Sequence, residues 1–133
     1  MQLEGKSKEH KGMRRFDQVM RMKFGEDINL TSYYGPVQMC VFGLTYKYIP
    51  MNYMIEVECE RGFITLNVKN DEGQSFSPWM IYPESRYYHF EDNEKDVIQL
   101  IELVYKAINN QEIIFMNDEE RLKLFSGIEF VMK

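Results

Sequence analysis

Apolar residues change their period several times along this chain, and each change marks a different element. Met13, Phe16, Met20 and Phe24 recur at intervals of three and four residues, which puts them on one stripe of a helix. The spacing predicts a helix over 13–24, ended by Gly25, with Arg14, Arg15, Arg21 and Lys23 left in solvent. From Val37 the pattern becomes extended: "PVQMCVFGLTYKYIP" is rich in β-branched and aromatic residues and is bounded by Gly35-Pro36 and Pro50.

Two further runs alternate strictly. In "NYMIEVECE", Tyr53, Ile55, Val57 and Cys59 share one face and Met54, Glu56, Glu58 and Glu60 the other; in "FITLNVK", Ile64, Leu66 and Val68 point inward. A two-residue turn at Arg61-Gly62 sets Glu60 opposite Phe63, Cys59 opposite Ile64, Val57 opposite Leu66 and Ile55 opposite Val68. A slip of one position would set core residues against polar ones, so both strands specify this register. It also brings Lys69 near Met54 or diagonally near Glu56, within reach of a weak cross-strand ion pair. "NDEG" at 70–73 marks the next turn and leads into "QSFSPWMIYP", a third member of the meander.

Helical spacing returns in "DNEKDVIQLIELVYKAINN", where Val97, Leu100, Ile101, Val104, Tyr105 and Ile108 fall on one face. Asp92 or Asn93 can cap its start, and Asn109-Asn110 suits its exit. "EIIFM" at 112–116 reads as a short strand, and Asn117 and Glu120 stand at capping spacing before "RLKLF", a short helix closed by Ser126-Gly127. "IEFVM" is apolar enough for a terminal edge strand. The composite is an α+β fold: an antiparallel β-meander sheet packed on one long helix, with a short N-terminal helix and a short C-terminal helix. Residues 1–12 are expected as a flexible basic arm, and 13–133 as a single α+β domain, large enough to bury a core without disulfide or metal staples.

Charge changes this picture more than composition does. Residues 1–24 carry seven Lys/Arg against three Asp/Glu, a net +4, while the remainder carries nine against eighteen, a net −9. A basic segment is joined to an acidic body. Such a body repels nucleic acid over most of its surface and attracts a cationic partner. The opening residues lack the apolar core of a signal peptide, and no apolar run approaches the length of a membrane span. A soluble, cytoplasmic protein without membrane association is expected. Cys40 and Cys59 both sit in apolar strand patterns, where buried free thiols are the common state.

Candidate chemistry is sparse. Glu56, Glu58 and Glu60 project from one strand face and invite a metal, but the facing strand offers Thr65, Asn67 and Lys69 rather than converging carboxylates. They read instead as a solvated outer face that discourages sheet association. His10 and His89 are isolated, no nucleophile elbow or CxxC accompanies them, and the glycines form no phosphate loop. Neither cofactor nor metal is expected, and enzyme activity has little support.

The aromatic stretch "SPWMIYPESRYYHF" gathers Trp79, Tyr82, Arg86, Tyr87, Tyr88 and His89, residue types that anchor interfaces. With the three glutamates they make the candidate partner-binding set. The function expected is a non-enzymatic acidic domain that binds a basic protein, in the manner of an immunity protein or an inhibitor masking a toxin or nuclease. Two other readings compete: a small-molecule-binding or enzymatic α+β domain using the aromatic edge 79–90, and a nucleic-acid-associated protein using the basic arm. An exposed edge strand would also allow a homodimer.

Overall fold

A computed structural model describes residues 1–78, 90–120 and 122–123. Five antiparallel strands, β1 (Ile28–Val37), β2 (Val41–Tyr48), β3 (Tyr53–Glu60), β4 (Phe63–Lys69) and β5 (Ser75–Phe76), form one sheet in the order β1-β2-β3-β4-β5. The helices are α1 (Gly5–Glu9), α2 (Lys11–Phe24) and α3 (Glu94–Asn109), and residues 118–120 and 122–123 are helical as well. The α+β meander expected from periodicity is the observed architecture.

The register of β3 and β4 follows from their alternation: Glu60 faces Phe63, Cys59 faces Ile64, Val57 faces Leu66 and Ile55 faces Val68. β2 continues the same rows, with Leu44 beside Val57 and Tyr46 beside Ile55. Every inward residue meets an inward residue, and Phe42, Leu44, Tyr46, Ile55, Val57, Cys59, Ile64, Leu66 and Val68 are all buried. The turn between β3 and β4 holds Arg61 at φ 53 and Gly62 at φ 83, the paired positive values of a type I′ turn. Only the second position is a glycine, so Arg61 carries a left-handed backbone that asparagine tolerates better. Arg61→Asn is therefore expected to stabilise the fold by about 0.5–1 kcal/mol, read as a rise in the denaturant midpoint at unchanged slope.

Two helices, rather than one, cover the inner face. His10 and Phe24, at the two ends of α2, stack edge-on against Phe42 and Tyr48 of β2. Arg15 reaches Asp92 ahead of α3, Lys23 reaches Glu102, and Phe24 meets Tyr105, so the contacts advance in step and the helices run parallel. Five strands between them return the chain to its starting direction, which makes that orientation a consequence of the meander. α3 buries Val97, Leu100, Ile101, Val104, Ala107 and Ile108. Asn93 caps it by accepting the Asp96 amide at 2.8 Å, and Lys23 lies over the Tyr105 ring, 4.5 Å from its centre.

Several local expectations are revised. β1 begins at Ile28, nine residues before the extended pattern was recognisable at Val37. Its pairing with β2 shifts between Leu30 and Ser32, so Thr31 is an extra residue and the inward parity flips. Ile28 and Leu30 are buried before the bulge, whereas after it Tyr33 packs against the core and Tyr34 is exposed. The predicted strand at 112–116 is reduced to a single bridge between Met116 and Ser75, because β5 offers only two residues to pair with. Asn117 and Glu120 do make the reciprocal caps, with Glu120 N donating to Asn117 Oδ1 at 2.8 Å and Asn117 N to Glu120 Oε1 at 3.3 Å. The closing Ser126-Gly127 and the "IEFVM" edge strand lie outside the described residues.

The segment read as a flexible arm carries α1, buries Leu3 and Ser7, and is tied to β1 by a hydrogen bond from Ser7 Oγ to the Gly35 carbonyl. His10, expected within that arm, caps α2: its Nδ1 accepts the Met13 amide at 3.2 Å. Arg15 is not solvated as expected. Its Nη2 donates to the Asp92 carbonyl at 2.6 Å and to Asp92 Oδ1 at 3.1 Å. Gly12 lets that aspartate approach, since a Cβ there would lie 2.1 Å from Asp92 Oδ2. Asp92 thus supplies the negative charge that the first turn of α2 lacks.

Candidate functional site

The outer face of the sheet carries the glutamates, and the structure separates their environments. Glu56, Glu58 and Glu60 stand at alternate positions of β3 opposite Asn67, Thr65 and Phe63 of β4. Glu56 is engaged: Lys69 Nζ lies 3.3 Å from its Oε2, the diagonal pair expected from the register. Both side chains are more than two-fifths exposed, so this pair contributes little to stability. The lower part of the face is correspondingly basic, with Lys47, Met54 and Lys69 in one row.

Glu58 has different neighbours. Its neighbour on β2 is Gly43, and the neighbour of Gly43 on β1 is Tyr34. The Tyr34 ring lies over that glycine so closely that a Cβ would come within 2.2 Å of Cε1. The ring spans β2 toward Glu58; partial burial, then the charges of Glu58 and Glu60, push the phenol above its usual pKa. Glu60, directly across from Phe63, has no ion pair among the described residues. The acidic part of the face is therefore its upper half, where Tyr34 and Phe63 flank Glu58 and Glu60.

That half adjoins an apolar end. The β1–β2 connection and the β3–β4 turn lie at the same end of a meander, and there Tyr34, Val37, Met39 and Phe63 are all exposed. Met39 and Cys40 both adopt left-handed backbones, φ 62 and φ 58, which cost non-glycine residues about 1–2 kcal/mol each. Cys40 is exposed rather than buried as its apolar strand pattern implied, a correction that follows from its place in this connection. Cys59 is buried on the inner face; desolvation, then the Asp92 charge, push its thiol up to about 11. A thiol reagent at neutral pH is expected to modify Cys40 within minutes and Cys59 only on unfolding, counted by mass spectrometry.

Trp79, Tyr82, Arg86, Tyr87, Tyr88 and His89 lie outside the described residues. Among the described residues no group of three or more His, Cys, Asp or Glu could hold a metal, and no helix is long and apolar enough to cross a membrane. The basic residues of α2 do not meet the outer glutamates, because α2 covers the opposite face; its Arg15 and Lys23 are matched by Asp92 and Glu102 instead. Tyr34 was missed from sequence because the bulge at Thr31 hid the parity of β1; Val37 follows a second register shift, and Met39 lies in the 38–40 connection rather than on the strand. Compared with known protein families, curated proteins and solved structures, the chain matches none.

Proposed function

We propose that this chain is a non-enzymatic protein-binding domain whose acidic upper sheet face, Glu58 and Glu60 with Tyr34 and Phe63, receives a basic protein, as an immunity protein or inhibitor masks a basic toxin or nuclease. The observation that carries this reading is the pairing of carboxylates with exposed apolar side chains on a sheet face that neither α2 nor α3 covers. Exposed apolar patches beside charge are where interfaces form: the apolar centre excludes water, and the carboxylates select and steer a cationic partner. The strained Met39-Cys40 backbone at the same end adds support, because such strain is commonly retained where a surface has a task. The net −9 of residues 25–133 acts in the same direction at longer range.

The partner would present a lysine or arginine flanked by apolar groups. The test is capture with the full chain, identification of the protein held, and hydrogen exchange on the purified complex. A basic protein released by salt, with protection at 34–41 and 56–65, is the expected outcome. Protection confined to the helices would overturn the reading.

A further inference from the structure

We propose that a second site, a basic cleft between the N-terminal segment and α2, binds a small phosphorylated anion. The cleft is open to solvent, has a volume of about 280 Å³, and is lined by Gln2, Lys8, Arg14, Asp17, Gln18 and Arg21 together with the buried Leu3. It lies on the flank of α2 away from α3: Arg15 and Lys23 point to α3, whereas Arg14, Asp17, Gln18 and Arg21 share the other side with α1. This site stands apart from the acidic sheet face and does not depend on the reading given to it.

The charges in the cleft are not equivalent. Asp17 is fully committed, its Oδ1 accepting the buried Tyr46 hydroxyl at 2.7 Å and its Oδ2 the Arg21 Nε at 2.9 Å. Arg21 also donates from Nη2 to the Met1 carbonyl at 2.9 Å, which joins the first residue to α2 and leaves Nη1 without a partner among the described residues. Arg14 makes only long contacts among those residues, 3.5 Å from Nη1 to the carbonyls of Lys8 and Glu9. Lys8 has no carboxylate of the described residues within ion-pair distance. With Arg21 offset by Asp17, Lys8 and Arg14 leave a local charge of +2 on a chain whose net charge is −5.

That charge matches a phosphate monoester, which carries about −1.5 to −2 at pH 7. Guanidinium groups supply paired donors to phosphate oxygens, and the lysine a mobile third. The two carboxamides can bond a hydroxyl on the attached group. A volume just below the usual range for ligand pockets, about 300–1,000 Å³, selects a sugar phosphate or similar small molecule over a polymer.

The experiment is titration of the full chain, followed by two-dimensional amide spectra, with inorganic phosphate, ribose 5-phosphate, ribose and a single-stranded oligonucleotide, each against sodium chloride at matched ionic strength. Ribose 5-phosphate should give saturating shifts confined to residues 2–8 and 14–21, inorganic phosphate the same residues more weakly, and ribose none. Lys8→Gln and Arg14→Gln, both at exposed side chains, should keep the remaining spectrum and weaken binding roughly tenfold each. The proposal is overturned if the shifts match those of sodium chloride, if the two variants bind as the parent does, or if the oligonucleotide alone binds.

Discussion

Replacing Tyr46 with alanine is expected to cost about 3–5 kcal/mol, a large share of the roughly 5–15 kcal/mol that a domain of this kind possesses. Tyr46 is fully buried on β2, and its row continues across the sheet through Ile55 and Val68 to Phe76. Truncation would open a cavity where β2 meets α2. It would also strip the buried Asp17 of its hydroxyl donor, leaving only Arg21. Tyr46→Phe separates the two effects: the ring remains, and the lost hydrogen bond should cost about 1–3 kcal/mol. Chemical denaturation of the three chains at neutral pH would give both numbers.

The same tyrosine sets an alkaline limit. Burial first, and then the Asp17 charge, hold the Tyr46 phenol far above its ordinary pKa. A raised pKa in the folded state means that the protonated phenol is favoured by folding. Its contribution is complete below about pH 10, where unfolded tyrosine titrates, and is lost as pH rises beyond it. Stability should fall above that pH by up to about 1.4 kcal/mol per unit from this one proton, and Tyr46→Phe should remove that part of the slope. An equal slope in the variant would mean that another group is responsible.

Reversing Glu58 and Glu60 together to lysine is expected to slow association with the basic partner by at least about tenfold at low ionic strength. By spacing alone the three glutamates are equivalent, but only these two lie in the upper half of the face. Glu56 is already offset by Lys69. Asp71→Lys/Glu72→Lys makes the same change in net charge at the 70–73 turn, at the opposite end of β4. If local complementarity governs binding, the turn variant should keep the association rate within about twofold. Added salt should bring the parent and the face variant together, because screening removes the long-range part of the attraction.

What the sequence displayed of this fold was whatever alternation protects. β3 and β4 each have one wholly apolar and one largely polar face, so their register, the Lys69–Glu56 diagonal and the inward Cys59 follow from residue spacing alone. α3 was legible for the same reason at a period of 3.6. β1 was not, because register shifts at Thr31 and again between Tyr34 and Val37 break it into short stretches without a common parity. Burial of the N-terminal segment was hidden as well. It rests on single residues, Leu3 and Ser7, and on a capping histidine, none of which forms a periodic pattern. The candidate interface inherits both outcomes: its glutamates were visible, whereas Tyr34, which flanks Glu58 across Gly43, depends on the hidden bulge.

The most direct test of the acidic sheet face is the ratio of association rates for the two charge-reversed chains with the captured basic partner, measured in one low-salt buffer. A Glu58→Lys/Glu60→Lys chain that associates at least about tenfold more slowly than the Asp71→Lys/Glu72→Lys chain is the predicted result. Equal rates for the two would contradict it, since net charge alone would then account for the attraction.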